Sequence, residues 1–332
     1  MGKVVTLGEI MLRLSTTVGE RISTSRSFQA HYGGGEANVA VSLANFGHQV
    51  TFATKVPDNS LGMTVIQQIR RAGVDPSSIL VGGPRLGTYY LEAGIGSRAA
   101  KVIYDRAGSS FAEICKNEWP DDLLEGADIL HLSGITAALS PQWCELLIEF
   151  MQLAHQKGCK VSFDINYRGN LWSQAAAGDA LARLLPHVDY CSAGKLDAIY
   201  LLGIEERASS DGEVMDYYQA IQEKYPSIEL LYSTKRVVHS ASSHELTGTL
   251  WQNGYYESVT HRLNPIVDRV GGGDAFSAGI LHGLLTGKNP QELVDFATAA
   301  AALKHTVHGD ANLFTAQEVE AYMSNGSGVI SR

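Results

Sequence analysis

Four cysteines in 332 residues, Cys115, Cys144, Cys159 and Cys191, are too few and too scattered for a disulfide framework. No pair has metal-ligand spacing, so they read as reduced, mostly structural thiols of a cytoplasmic protein. Basic runs are absent: 26 Lys and Arg stand against 35 Asp and Glu, a net charge of −9, which argues against nucleic acid as a partner. No apolar run approaches the length that spans a bilayer, and the stretch before Glu9 is too short for a secretory signal, so no membrane partner is expected. Internal repeats and low-complexity tracts are missing. So are two nucleotide signatures. No Gly-x-x-x-x-Gly-Lys-Ser/Thr occurs, which excludes a P-loop enzyme. The first strand runs into Gly8-Glu9-Ile10-Met11 instead of Gly-x-Gly-x-x-Gly, which weighs against a nicotinamide-dependent oxidoreductase.

What the chain does have is glycine, 34 residues of it, and two runs of three lead into small-residue helices. The second run, Gly271-Gly272-Gly273, precedes Asp274. Glycines let backbone N–H groups approach a ligand closely, and the helix start adds free N–H groups and the positive end of its dipole. The result is an anion hole suited to a phosphoryl group in flight. A carboxylate at its mouth would repel phosphate, so Asp274 makes sense as the base that takes a proton from an attacking hydroxyl. The plainer alternative is an N-cap behind a loop. The first run, Gly33-Gly34-Gly35, leads into Glu36-Ala37-Asn38 and a helix that ends at Gly47.

Strand and helix patterns alternate along the chain. Val4–Leu7, Val50–Lys55, Ile129–Leu132, Lys160–Asp164, Tyr190–Ser192 and Glu229–Ser233 read as strands. Leu61–Ala72, Pro141–Lys157, Ser173–Leu185, Asp197–Leu202, Asp211–Lys224, Asp274–Leu285 and Phe296–His305 read as helices. The alternation predicts a mainly parallel α/β sheet covered on both faces. Glu245–Trp251 and Tyr255–Thr260 read as a hairpin around Asn253-Gly254. No helix follows Thr88–Glu92 or Lys101–Arg106. With part of the polar stretch from Leu12 to Tyr32 they form a small β lid, about 10–33 and 84–107, on a single domain of 1–332. Ligands gather at the carboxyl ends of strands in such sheets, where Asp164, Asn166, Arg168 and Gly194 fall.

Three stretches, Gly33-Gly34-Gly35-Glu36-Ala37-Asn38, Asp164-Ile165-Asn166-Tyr167-Arg168 and Asp268-Arg269-Val270-Gly271-Gly272-Gly273-Asp274-Ala275-Phe276, resemble the ribokinase-like family of sugar kinases, over nearly the whole chain. The last is similar to the family's D-T-x-G-A-G-D-x-F signature, with Arg269 for Thr and Gly272 for Ala. Tyr104-Asp105-Arg106 and the stretch around Arg168 resemble the branch that phosphorylates 2-keto-3-deoxygluconate. Exposed lid strands often pair with a partner lid, so a homo-oligomer is expected, a dimer through the lid or larger. The resemblance implies a ribokinase-like fold, ATP and magnesium, and a sugar-acid substrate. It implies substrate contacts from Gly33, Gly34, Asn38, Tyr90, Tyr104, Arg106, Arg168, Asp274 and Asp310. Gly271, Gly272 and Gly273 serve catalysis, and Ser192, Thr234, Lys235, Gly271 and Gly273 meet the nucleotide. Arginine suits a carboxylate independently of the family, because its planar fork binds both oxygens. Only one of Tyr89 and Tyr90 can face inward, and Tyr90 is preferred. The family's Asn-x-x-Glu becomes Gly194-Lys195-Leu196-Asp197, and the Gly-x-x-Gly after Thr-x is replaced in Thr234-Lys235-Arg236-Val237-Val238. No direct protein ligand to magnesium is therefore assigned; phosphates keep the ion with few protein ligands. A neutral-sugar kinase and a catalytically silent sugar-acid binder are the alternatives.

Overall fold

The structure is a computed structural model that describes residues 1–206 and 214–325. Its centre is β1 (Lys3–Leu7), whose four residues after Lys3 are all buried. An apolar run of that kind needs cover on both faces, and the sheet supplies it. On one side of β1 lie β4 (Gln49–Val56) and the short β5 (Ile79–Val81). On the other lie β8 (Ile129–Ser133), β9 (Lys160–Asp164), β10 (Tyr190–Ser192) and β11 (Leu230–Ser240), all parallel. Beyond β11 pairing turns antiparallel: β12 (Ser243–Trp251) carries both β13 (Tyr255–Glu257) and β14 (His261–Leu263), which completes ten strands.

Helices cover both faces, as the alternation predicts. Pro141–Gln156, Gln174–Leu184 and Val214–Lys224 pack on one side, with Trp143 fully buried and stacked on Phe111 at 4.4 Å between ring centres. Gly35–Asn45, Ser60–Arg71, Gly272–Thr286 and Pro290–Lys304 cover the other. The first three positions of the expected helix Asp211–Lys224 lie outside the described residues, and the described part begins at Val214.

A separate four-stranded sheet orders β3 (Gln29–Gly33), β2 (Met11–Ser15), β6 (Thr88–Glu92) and β7 (Lys101–Asp105). β2 runs parallel to β6, and β7 closes it as an antiparallel edge with all five residues exposed. β2 and β3 stand where the sequence reads as polar and irregular. Met11–Ser15 alternates, but its inward faces include a charge, Arg13, which is only 3% exposed. β11 also runs seven residues past the expected Ser233, because pairing with β12 carries the polar Thr234–Ser240 segment beyond the core.

Arg13 ties the small sheet to the body. Its Nη2 donates to Asp268 Oδ2 at 2.6 Å, its Nη1 to Asp310 Oδ1 at 2.6 Å, and its Nε to Ser15 Oγ at 2.6 Å. Burial works against the charge, yet the two carboxylates outweigh it and raise the guanidinium's pKa further. Removing one member of a buried charge network leaves the others unpaired, at a cost of about 3–5 kcal/mol. Arg13→Leu should therefore lower unfolding free energy by about that amount in urea melts. A loss below about 1 kcal/mol, the scale of an exposed ion pair, would contradict the anchoring role.

Candidate active site

The carboxyl ends of the parallel strands face the inner side of the small sheet across a cavity of 640 Å³. β1 delivers Glu9 just past its end, β9 ends on Asp164, and β11 contributes Thr234 and Arg236. Both glycine turns reach its wall. Gly34 starts the helix Gly35–Asn45 and lies so close to β1's exit that a Cβ there would sit 1.9 Å from the Glu9 carbonyl oxygen. Gly271 starts the helix Gly272–Thr286 at φ 79°, and its Cβ would sit 1.6 Å from the Asp310 carbonyl oxygen. Only glycine meets either demand. The N–H groups of Gly273 and Asp274 donate to nothing among the described residues, as the first turn of a helix requires, and space above Gly273 is open.

Asp274 is half-buried at this helix start. Asn38, one turn into the other helix, donates from Nδ2 to Asp274 Oδ2 at 2.6 Å. The two glycine-led helices thus meet at the carboxylate. Burial pushes its pKa up to about 7, with Asn38 pulling down, Asp164 pushing up and Arg168 pulling down. Asp164 is itself pushed up to about 6 by burial, with the Arg168 charge pulling down. A carboxylate poised near neutrality, beside free N–H donors, can take a proton from a hydroxyl while an anion is held next to it.

Around the sugar side the cavity collects Gly33, Gly34, Asn38, Tyr104, Arg106, Arg168 and Asp310, all expected there. Asp310 is buried and accepts from Arg13 and from the Tyr89 hydroxyl. Tyr90 needs correction: strand alternation points Tyr89 inward, where it lines the cavity, and turns Tyr90 outward against Phe28. Arg106 is buried against Glu9, which its Nη2 and the Ser109 hydroxyl both reach, and its Nε has no partner among the described residues. Arg168 is exposed on the rim, bonded through Nη1 to the Tyr167 carbonyl at 3.1 Å. It arrives there because Asn166 takes φ 43° just after β9, its N–H bonded to Asp164 Oδ1 at 3.1 Å.

On the opposite side, Thr234 and Gly271–Gly273 line the cavity as expected, and two other expected residues do not. Ser192 stands beside Asp164 on the neighbouring strand, where its hydroxyl helps hold that carboxyl's pKa down. Lys235 points to the far face of β11, where it pairs with Glu257 and lies 5.6 Å from the centre of the Tyr255 ring. The same alternation places Arg236, unremarked in the sequence, in the wall beside Arg269. Asp197 caps its own helix, accepting from Gly194 N at 2.8 Å. Among the described residues no group of three or more His, Cys, Asp or Glu could hold a metal.

Residues 1–316 match the profile of the pfkB family of carbohydrate kinases. The chain belongs to that family. Among pfkB relatives, 2-dehydro-3-deoxygalactonokinase of Haloferax volcanii is 35% identical over 99% of both chains. A pfkB carbohydrate kinase from Listeria grayi superposes with a TM-score of 0.93 and 47% identity, covering 97% of this chain and 100% of that one. The 2-dehydro-3-deoxygluconokinase of Thermotoga maritima gives 0.94 at 36% identity, covering 98% and 100%. The α/β architecture is the ribokinase-like fold, and the protein is a carbohydrate kinase. Among the described residues, no helix of this pfkB kinase is long and apolar enough to cross a membrane.

With Asp274 as the base, kcat/KM should fall about tenfold per pH unit below about 7 and level off above it. Asn38→Leu removes a donor that favours the ionised form, so that limb should move to higher pH. Asp274→Asn should cost several powers of ten in kcat. It should also stabilise the fold at pH 8. The folded pKa lies above the unfolded value near 4, so ionisation erodes stability from about pH 4 to about 7 and the loss is complete above that. A pH profile flat from 6 to 8 would contradict the assignment.

Proposed function

We propose that this pfkB kinase transfers the γ-phosphoryl group of ATP to the terminal hydroxyl of 2-keto-3-deoxygluconate, giving 2-keto-3-deoxy-6-phosphogluconate, with the galactonate epimer as a close second substrate. The observation that carries the reading is the cavity's polarity. Asp274 and the anion hole stand together at the end of two helices, and two arginines, Arg106 and Arg168, face the same space with tyrosines beside them. Arg106 keeps an unpartnered Nε beside its bond to Glu9 and Arg168 is exposed, and a carboxylate accepts from both more strongly than a neutral hydroxyl does. Relatives named for the gluconate and galactonate acids support the same class.

In this reading Arg106 and Arg168 hold the acid end, which places the far hydroxyl at Asp274. Tyr89 and Asp310 bound the sugar between them. Asp274 accepts the hydroxyl proton as that oxygen bonds to the γ-phosphorus, and the bond to the ADP bridging oxygen breaks with its electron pair. The N–H groups of Gly273 and Asp274 meet the charge on the transferring group. The wall fits a magnesium ion that arrives on the nucleotide with most of its waters, since Asp164 is a cavity carboxylate without a full ligand set around it. Magnesium supplies charge neutralisation on the phosphates. Closure of the four-stranded sheet over the acid excludes water. The four free cysteines fit a reducing cytoplasm.

An ADP-release assay with ATP and magnesium, run on 2-keto-3-deoxygluconate, its galactonate epimer, fructose and ribose, tests this. The acids should lead in kcat/KM by at least about a hundredfold, the scale of two charge-assisted bonds. Arg168→Ala should raise KM for the acids by about tenfold and leave neutral sugars unchanged. Faster turnover of fructose or ribose would return the arginines to a structural role and the site to a neutral sugar.

A further inference from the structure

Five arginines are matched by an acid among the described residues. Arg13 has Asp268 and Asp310, Arg21 has Glu92, Arg85 has Asp105, Arg106 has Glu9, and Arg183 has Glu145. Arg168 on the cavity rim is not, and neither are Arg236 and Arg269. The last two line the cavity beside Thr234 and the Gly271–Gly273 turn, and among the described residues neither forms an ion pair with a carboxylate. The acid next to Arg269 in sequence, Asp268, already serves Arg13, Gly309 N and Val270 N. Arg236 is half-buried, and burial followed by the charge of Arg269 pulls its pKa down to about 10. Two guanidiniums turned toward one space, one partly desolvated and neither offset, are held apart from their best state until an anion arrives.

Arg236 is also aimed. His305 is buried, and its Nδ1 lies 2.6 Å from the Ala301 carbonyl, so that nitrogen carries the proton. Burial drops its pKa to about 4, so the ring is neutral at working pH and offers Nε2 as an acceptor. Arg236 Nη2 lies 3.5 Å from it. The same ring also touches the glycine turn: a Cβ on Gly272 would come 2.5 Å from its Cε1. One neutral histidine thus backs both the anion hole and the arginine.

We infer that Arg236 and Arg269 form a clamp for the polyphosphate of the phosphoryl donor, contributing side-chain charge where backbone N–H groups alone would face three phosphates. The inference rests on the reading that the donor is ATP. Arg236 stands in the Thr234–Val238 segment, where the chain lacks the Gly-x-x-Gly that would have offered further backbone N–H groups. The acid end of the sugar lies elsewhere, at Arg106 and Arg168.

Calorimetric titration of the whole protein with ADP and with adenosine, with magnesium present, separates the possibilities. Arg236→Gln should weaken ADP about a hundredfold and Arg269→Gln about tenfold, with adenosine affinity unchanged, since only the phosphates are lost as partners. Arg236→Lys should recover about tenfold of the loss. KM for the sugar acid should stay within about twofold in Arg269→Gln, whose exposed position also tests the clamp if Arg236→Gln folds poorly. ADP affinity unchanged in Arg269→Gln and Arg236→Lys alike overturns the clamp, as does an equal loss for ADP and adenosine. A rise confined to the KM of the sugar acid also overturns it, by assigning the pair to the acceptor. Wild-type protein that binds neither ADP nor adenosine overturns the nucleotide reading itself.

Discussion

The buried guanidinium of Arg13 is the contact on which the rest of the site depends. It sits on the small sheet and bonds two carboxylates that belong to the body. Asp268 opens the turn that carries the second glycine run, and its other oxygen holds Val270 N at 3.1 Å. Asp310 packs its carbonyl against Gly271 and its carboxylate against Gly33 and the Tyr89 hydroxyl. One cation therefore fixes both glycine turns and the inward tyrosine relative to each other. Lys304, fully buried, adds a bond from Nζ to the Asp268 carbonyl at 3.3 Å behind the same turn. Charge buried so completely persists only where every partner is in place, so the turn is rigid before any ligand binds. The opposite end of the small sheet, β7, has no such anchor and is wholly exposed.

Function is drawn from a local instability. Asp164 and Asp274 stand near each other at one cavity wall, each pushed toward neutrality by burial. A fold optimised for stability alone would not place two carboxyls there. In the proposed reaction the gain is a base whose pKa matches working pH, held in one orientation by Asn38. Arg168 lowers the pKa of both acids from the rim, so a ligand that engages Arg168 also changes the base.

Much of this was legible in the sequence. Asp274, the glycine turns and Asn38 are local motifs at helix starts, and the alternation of strand and helix is a local signal too. The parallel sheet, the small second sheet and the cavity at the carboxyl ends follow from them. What escaped depends on parity or on distance. Tyr89 and Tyr90 are chemically alike, and only the pairing with β2 and β7 decides which faces inward. The same parity exchanged Lys235 for Arg236. Arg13 gave no signal because its partners lie 255 and 297 residues away. A lone arginine in a short alternating strand reads as surface, so the lid expected over about 10–33 carried no strand bounds for β2. Ser192 sits at the expected strand end but beside Asp164 on the neighbouring strand and outside the cavity lining, a placement that single-sequence patterns do not carry.

The central claim is that one end of a sugar acid is gripped by arginine while the other meets Asp274. A crystal structure with 2-keto-3-deoxygluconate and a non-hydrolysable ATP analogue measures it directly. The expected density places the substrate carboxylate within hydrogen-bond distance of Arg106 and Arg168, and the terminal hydroxyl about 3 Å from an Asp274 oxygen, in line with the γ-phosphorus. A carboxylate lying against the anion hole, or a terminal hydroxyl turned away from Asp274, would contradict the account.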